Sequence, residues 1–141
     1  TGLAPFVSIV RDPDAYERYE KVVLVHGVRR VGDLGYRDYL RDELPRHPLL
    51  GEVVREQLLY YPTVTREPFE NRGRITELLE SGELVADLGL PDLDPARDRA
   101  MLCGSPNMLR DLRSLLEARG FSLGSLHAPG DYTYERAFVE R

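Results

Sequence analysis

Between the apolar run Leu58-Leu59-Tyr60-Tyr61 and the segment Ile75-Thr76-Glu77-Leu78-Leu79 lie two threonines, Thr63 and Thr65, and three arginines, Arg66, Arg72 and Arg74. The first run has the composition of a buried strand and the second the spacing of a helix, so hydroxyl and guanidinium groups collect where a strand hands over to a helix. In an open α/β sheet that edge is where ligands bind. A guanidinium offers a planar fork of donors and a permanent charge. It therefore suits a phosphate monoester, with its three acceptor oxygens, better than an ammonium does.

The 2'-phosphate that separates NADP from NAD is such a group. Charge-assisted hydrogen bonds contribute ~1.5 to 3 kcal/mol each, so two arginines on that phosphate would separate the coenzymes by about two to four powers of ten. Two features weigh against this reading. Of the 19 basic residues only Lys21 is a lysine, so an arginine cluster in this chain also reads as a solvated loop. Glu67 stands beside Arg66, and a pair between them would withdraw Arg66 from any ligand.

Other segments carry weaker signals. Thr1-Gly2-Leu3-Ala4-Pro5-Phe6 places a small polar residue and a glycine at a helix start, where free amides attract anions, although an ordinary capped helix looks the same. In His26-Gly27-Val28-Arg29-Arg30 a glycine ends a strand, which lets the backbone approach a ligand while Arg29 reaches over phosphates; surface arginines after strands are also common. Cys103-Gly104-Ser105-Pro106-Asn107-Met108 sets a thiol at a strand end, before a serine N-cap and a proline suited to the first helical turn. The only histidines, His26, His47 and His127, show neither pairing with Cys103 nor metal-ligand spacing, so neither covalent catalysis nor a metal site is expected. Tyr132, Tyr134 and Phe138 read as packing residues or as cover for a flat cofactor ring.

These groups need a scaffold. The chain has 141 residues, suited to one domain, and a net charge of -5, which argues against nucleic acid as a partner. A lone cysteine fits a reducing compartment, the cytoplasm by default, and no apolar run approaches the length of a membrane span. An opening helix is followed by a strand from Lys21 to His26, a helix from Tyr36 to His47 and a strand from Glu56 to Tyr61. A helix from Arg74 to Ser81, a long connection from Leu84 to Asp98, and a strand from Arg99 to Cys103 come next. A helix ending near Gly120 and a last strand between Gly130 and Glu140 complete the series. Alternating strands and helices predict an α/β fold, a doubly wound parallel five-stranded sheet, whose first strand is expected before Thr1.

Taken in order, the blocks resemble the pyridine-nucleotide domain of the ferredoxin–NADP reductase family, specifically the bacterial ferredoxin/flavodoxin–NADP reductases. Thr1-Gly2-Leu3-Ala4-Pro5-Phe6 matches most of that family's Gly-Thr-Gly-x-x-Pro-x turn. His26-Gly27-Val28-Arg29, Tyr61-Pro62-Thr63-Val64-Thr65-Arg66-Glu67, Gly73-Arg74 and Cys103-Gly104-Ser105-Pro106-Asn107-Met108 match the remaining blocks. The resemblance implies that the Thr1-Gly2 turn and Arg29 hold the pyrophosphate and that Thr65, Arg66 and Arg74 hold the 2'-phosphate. It implies that Cys103, Gly104 and Met108 lie beside the nicotinamide. The ending Ala137-Phe138-Val139-Glu140-Arg141 resembles the bacterial branch, in which a small residue, here Ala137, faces the flavin and Phe138 contacts FAD.

The implied reaction is hydride transfer between NADPH and FAD, with electrons then exchanged singly with ferredoxin or flavodoxin. Residues 1–141 would be the NADP-binding domain of a two-domain flavoprotein, a monomer, with the FAD-binding barrel upstream of Thr1. NADH-using reductase components of oxygenases are the nearest alternative, but an acidic residue would be expected where Thr65-Arg66 stand. A non-catalytic nucleotide-binding regulatory domain is the second alternative.

Overall fold

The computed structural model describes residues 3–125 and 128–136. They form two compact units, Leu3–Ile75 and a second that begins at Thr76.

In the first unit the opening helix is broken into α1 (Ala4–Val10) and α2 (Pro13–Arg18). The Asp12 carboxylate accepts from the Asp14 amide at 3.0 Å and Pro13 takes the first helical position, so the chain caps a new helix instead of extending the old one. The Tyr16 hydroxyl donates to the Val10 carbonyl at 2.6 Å, and burial pushes its pKa up to about 12. Strand β1 (Val22–Val28) follows.

The helix expected from Tyr36 to His47 is irregular, with a π-helical turn over Tyr39–Glu43 and a 3-10 turn over Leu44–Arg46. Pro45 explains this: it has no N–H to donate, and its ring crowds the carbonyl four residues back, so the hydrogen-bond register widens and then tightens. The inward stripe survives, and Leu40 and Leu44 are buried. A further helix, α3 (Gly51–Gln57), then precedes β2 (Leu58–Val64), which runs three residues past Tyr61. The two strands pair in parallel, in register from Val22 opposite Leu58 to Val28 opposite Val64. Leu24 packs with Val7, Val10, Tyr16, Leu40, Leu44 and Val54 in one apolar core.

The second unit carries α4 (Ile75–Ser81, its first residue belonging to the first unit), α5 (Glu83–Leu88), β3 (Ala100–Gly104), α6 (Pro106–Ala118) and β4 (Tyr132–Arg136). Helix α5 begins at Glu83 and takes up the first five residues of the stretch expected to be a connection, Leu84 to Leu88. Gly82, at φ 83°, turns the chain into this new helix. Arg119 fastens the region, donating to the Leu79 carbonyl at 2.9 Å and to Asp92 at 2.7 Å. Strands β3 and β4 pair in parallel, placing Cys103 opposite Glu135. Leu116, Phe121 and Tyr132 form the core beneath them.

The described residues thus hold four strands in two parallel pairs, linked by helices, and the fold is α/β as the alternation of elements predicts. None of their helices is long and apolar enough to cross a membrane.

Candidate functional site

The parallel register sets the carboxyl ends of β1 and β2 side by side, and the main chain stays joined past the strands. Thr65 N donates to Val28 O at 3.0 Å and Arg66 N to Arg29 O at 2.9 Å. Arg29 and Arg66 are therefore cross-bonded neighbours, and the side chains of both are exposed.

The turn after β2 then folds back on its own strand. Val64 N donates to Asn71 O at 3.1 Å and Gly73 N to Val64 O at 3.2 Å. The Thr63 hydroxyl, fully buried, donates to Gly73 O at 2.8 Å, and the Asn71 amide donates to Pro62 O at 2.9 Å. Gly73 sits at φ 130°, a conformation closed to residues with a Cβ, and it hands the chain to Arg74 at the start of α4. Thr63 therefore staples the turn, while Thr65, half-buried, is the hydroxyl left at the strand end.

The turn's carboxylates are both engaged with distant partners. Glu67 accepts from the Val31 amide at 3.0 Å and lies 3.5 Å from the Arg30 guanidinium. Glu70 pairs with Arg41 at 2.6 Å. Glu67 thus does not hold Arg66, and among the described residues Arg29, Arg66 and Arg74 have no carboxylate partner. Arg72, in the same turn, has no carboxylate partner among the described residues either, so four guanidinium groups of permanent charge and one hydroxyl are left where two strands end. That donor set fits a phosphate.

Gly27 differs from its expected role. It lies within β1, and a Cβ there would come within 3.1 Å of the Ile75 side chain, so its bareness admits the first residue of α4 instead of a ligand. His26, beside it, is held below the usual histidine pKa by burial and sits 3.4 Å from the Tyr60 hydroxyl.

In the second unit Cys103 and Gly104 end β3, and the Ser105 hydroxyl caps α6 by accepting from Met108 N at 3.3 Å. A Cβ at Gly104 would collide with the Met108 methyl, so the thioether lies against the bare backbone. Burial, and secondly Glu135 across the strand pair, push the Cys103 thiol up, which keeps it neutral near pH 7 and unlike a nucleophile. Tyr132 is structural, with its hydroxyl accepting from Arg113 and donating to Glu117. Thr1, Gly2, His127, Ala137 and Phe138 lie outside the described residues.

Parallel strands joined by helices, with uncommitted guanidinium groups where β1 and β2 end, mark an α/β nucleotide-binding domain. Residues 1–114 match the family described as oxidoreductase NAD-binding domain. The chain is 62% identical to ferredoxin–NADP reductase A of Sorangium cellulosum, over 99% of this chain and 50% of that protein. It is 54% identical to ferredoxin–NADP reductase of Pseudomonas aeruginosa, over 100% of this chain and 55% of that one. A solved ferredoxin NADP+ reductase from Neisseria gonorrhoeae with bound FAD and NADP is similar at a TM-score of 0.81 and 30% identity, over 97% of this chain and 52% of the other. The chain belongs to the bacterial ferredoxin–NADP reductase family, as its nucleotide-binding domain. It spans about half the length of the relatives it matches.

Proposed function

We propose that this chain selects NADP(H) and orients it within a two-domain, FAD-containing reductase that exchanges electrons with ferredoxin or flavodoxin in the cytoplasm. The observation that supports this best is the state of the turn after β2, where Glu67 and Glu70 are taken by Arg30, Val31 and Arg41 while Arg66 and Arg74 remain uncommitted. In this reading Thr65, Arg66 and Arg74 hold the 2'-phosphate. Arg29, with Thr1 and Gly2, holds the pyrophosphate. Cys103, Gly104 and Met108 line the nicotinamide side, and Ala137 and Phe138 meet the flavin.

Bound NADPH and FAD would supply hydride and single-electron chemistry between them. The contribution of this chain is placement and charge. Its guanidinium groups neutralise the phosphates without a proton step, because arginine stays charged at any physiological pH. At the end of β3 the protonated Cys103 thiol, the bare Gly104 backbone and the Met108 thioether offer neutral, polarisable groups, with Glu135 opposite Cys103 on the paired strand.

The test uses the complete reductase that contains this chain. Arg66→Ala and Arg74→Ala should each weaken NADPH binding by about ten- to a hundredfold, the equivalent of one charge-assisted hydrogen bond, and leave NADH binding nearly unchanged. Equal losses for both coenzymes, or none, would remove the support for this reading.

A further inference from the structure

We propose that Glu67 is a positioning residue: a carboxylate that locks together the two arginine-bearing turns and so favours binding of a dianionic phosphate. The main chain joins the turns only as far as Arg66 N to Arg29 O at 2.9 Å. One residue on, the Glu67 side chain takes over, accepting from Val31 N at 3.0 Å and drawing in the Arg30 guanidinium at 3.5 Å. These partners stand 36 and 37 positions away in sequence, so the contact ties the end of one strand to the end of the next. It also commits the Glu67 carboxylate to Val31 and Arg30, with no ion pair to Arg66.

This arrangement inverts the usual sign of an acidic residue beside an anion site. A carboxylate near a phosphate ordinarily repels it, and removing the carboxylate strengthens binding. If Glu67 instead holds the turn so that Arg66 is aligned, removing it weakens binding. The inference rests on the reading of Arg66 as a 2'-phosphate ligand. Glu70, in the same turn and held by Arg41 at 2.6 Å, reaches no main-chain group at the strand ends and serves as the charge control.

The experiment measures NADPH and NADH dissociation constants by calorimetry, with KM and kcat, in the complete reductase. Glu67→Ala should raise the NADPH dissociation constant about tenfold, the low end for losing a hydrogen bond to a charged group. NADH binding should change less than about threefold and kcat less than about twofold. Glu67→Gln keeps an acceptor for Val31 N and should restore NADPH binding to within about threefold of wild type. Glu70→Gln should match wild type or bind slightly tighter. In an Arg66→Ala background, Glu67→Ala should add less than about twofold, because the residue acts through Arg66.

A Glu67→Ala protein that binds NADPH as tightly as wild type or tighter, while Arg66→Ala loses the coenzyme preference, overturns the clamp alone. Equal weakening of both coenzymes also overturns it, since that marks a merely structural role. An Arg66→Ala protein with its preference intact overturns the underlying site and the clamp with it.

Discussion

The staple under the arginine turn can be broken without changing its volume. Thr63→Val keeps the β-branch and the methyl packing but deletes the hydroxyl that donates to Gly73 O at 2.8 Å. Thr63 itself is fully buried, and the valine methyl fills the place of the hydroxyl, so no donor is restored at that position. One such hydrogen bond, with the penalty for a carbonyl left short of a partner, is worth roughly 1 to 2 kcal/mol. Local opening of the turn should become more frequent by the corresponding factor, about five- to thirtyfold. Hydrogen exchange on the complete reductase reads this at two amides, Val64 N, bonded to Asn71 O, and Gly73 N, bonded to Val64 O. Arg74 follows Gly73, so NADPH affinity should fall by about threefold while NADH affinity holds. Thr63→Ser retains the hydroxyl and should retain slow exchange. Unchanged exchange at Val64 and Gly73 in the valine variant would refute the idea that Thr63 shapes the turn.

Two further predictions concern protonation. His26 has its pKa lowered by burial, so the folded state binds its proton less readily than the unfolded chain does. Its contribution to stability is present above the ordinary histidine value of about 6.5 and is lost as pH falls through the lowered folded value. Thermal melts of the complete reductase at stepwise lower pH should show that loss, and His26→Gln should flatten it; an identical pH profile in the variant would count against it. Cys103 has its thiol pushed up by burial and by Glu135, so thiolate is scarce near neutrality. Iodoacetamide should therefore modify Cys103 more slowly than a free cysteine at pH 8, and faster modification would contradict the neutral-sulfur assignment.

Much of this scaffold is legible in the chain. Lys21 to His26, Glu56 to Tyr61 and Arg99 to Cys103 read as strands from their apolar runs, and the strands are Val22–Val28, Leu58–Val64 and Ala100–Gly104, with Glu56 and Gln57 belonging to α3. Ser105-Pro106 announces α6 with a cap and a first-turn proline. Helix α3 is hidden because seven residues, beginning at Gly51 and running straight into β2, give too few turns for a period to emerge. Helix α5 is hidden because Gly82 carries the same signal whether a chain stops or turns into another helix.

The site divides in the same way. The arginines are visible as residue types beside a strand end. What Glu67 does is not, because neighbours in sequence suggest a pair with Arg66 and the actual partners, Arg30 and Val31, arrive only through the parallel register of β1 and β2. The role of Thr63 is hidden for a related reason: its burial and its bond to Gly73 O follow from the strand extending through Val64, past the apolar run that marks it in the sequence.

Calorimetric titration of the wild-type complete reductase with NADPH and with NADH, in one buffer at one ionic strength, bears on the arginine turn without any substitution. Two uncommitted guanidinium groups on a 2'-phosphate should make NADPH bind about two to four powers of ten more tightly than NADH. Equal affinities would mean that Arg66 and Arg74 face solvent and that the turn after β2 does not choose the coenzyme.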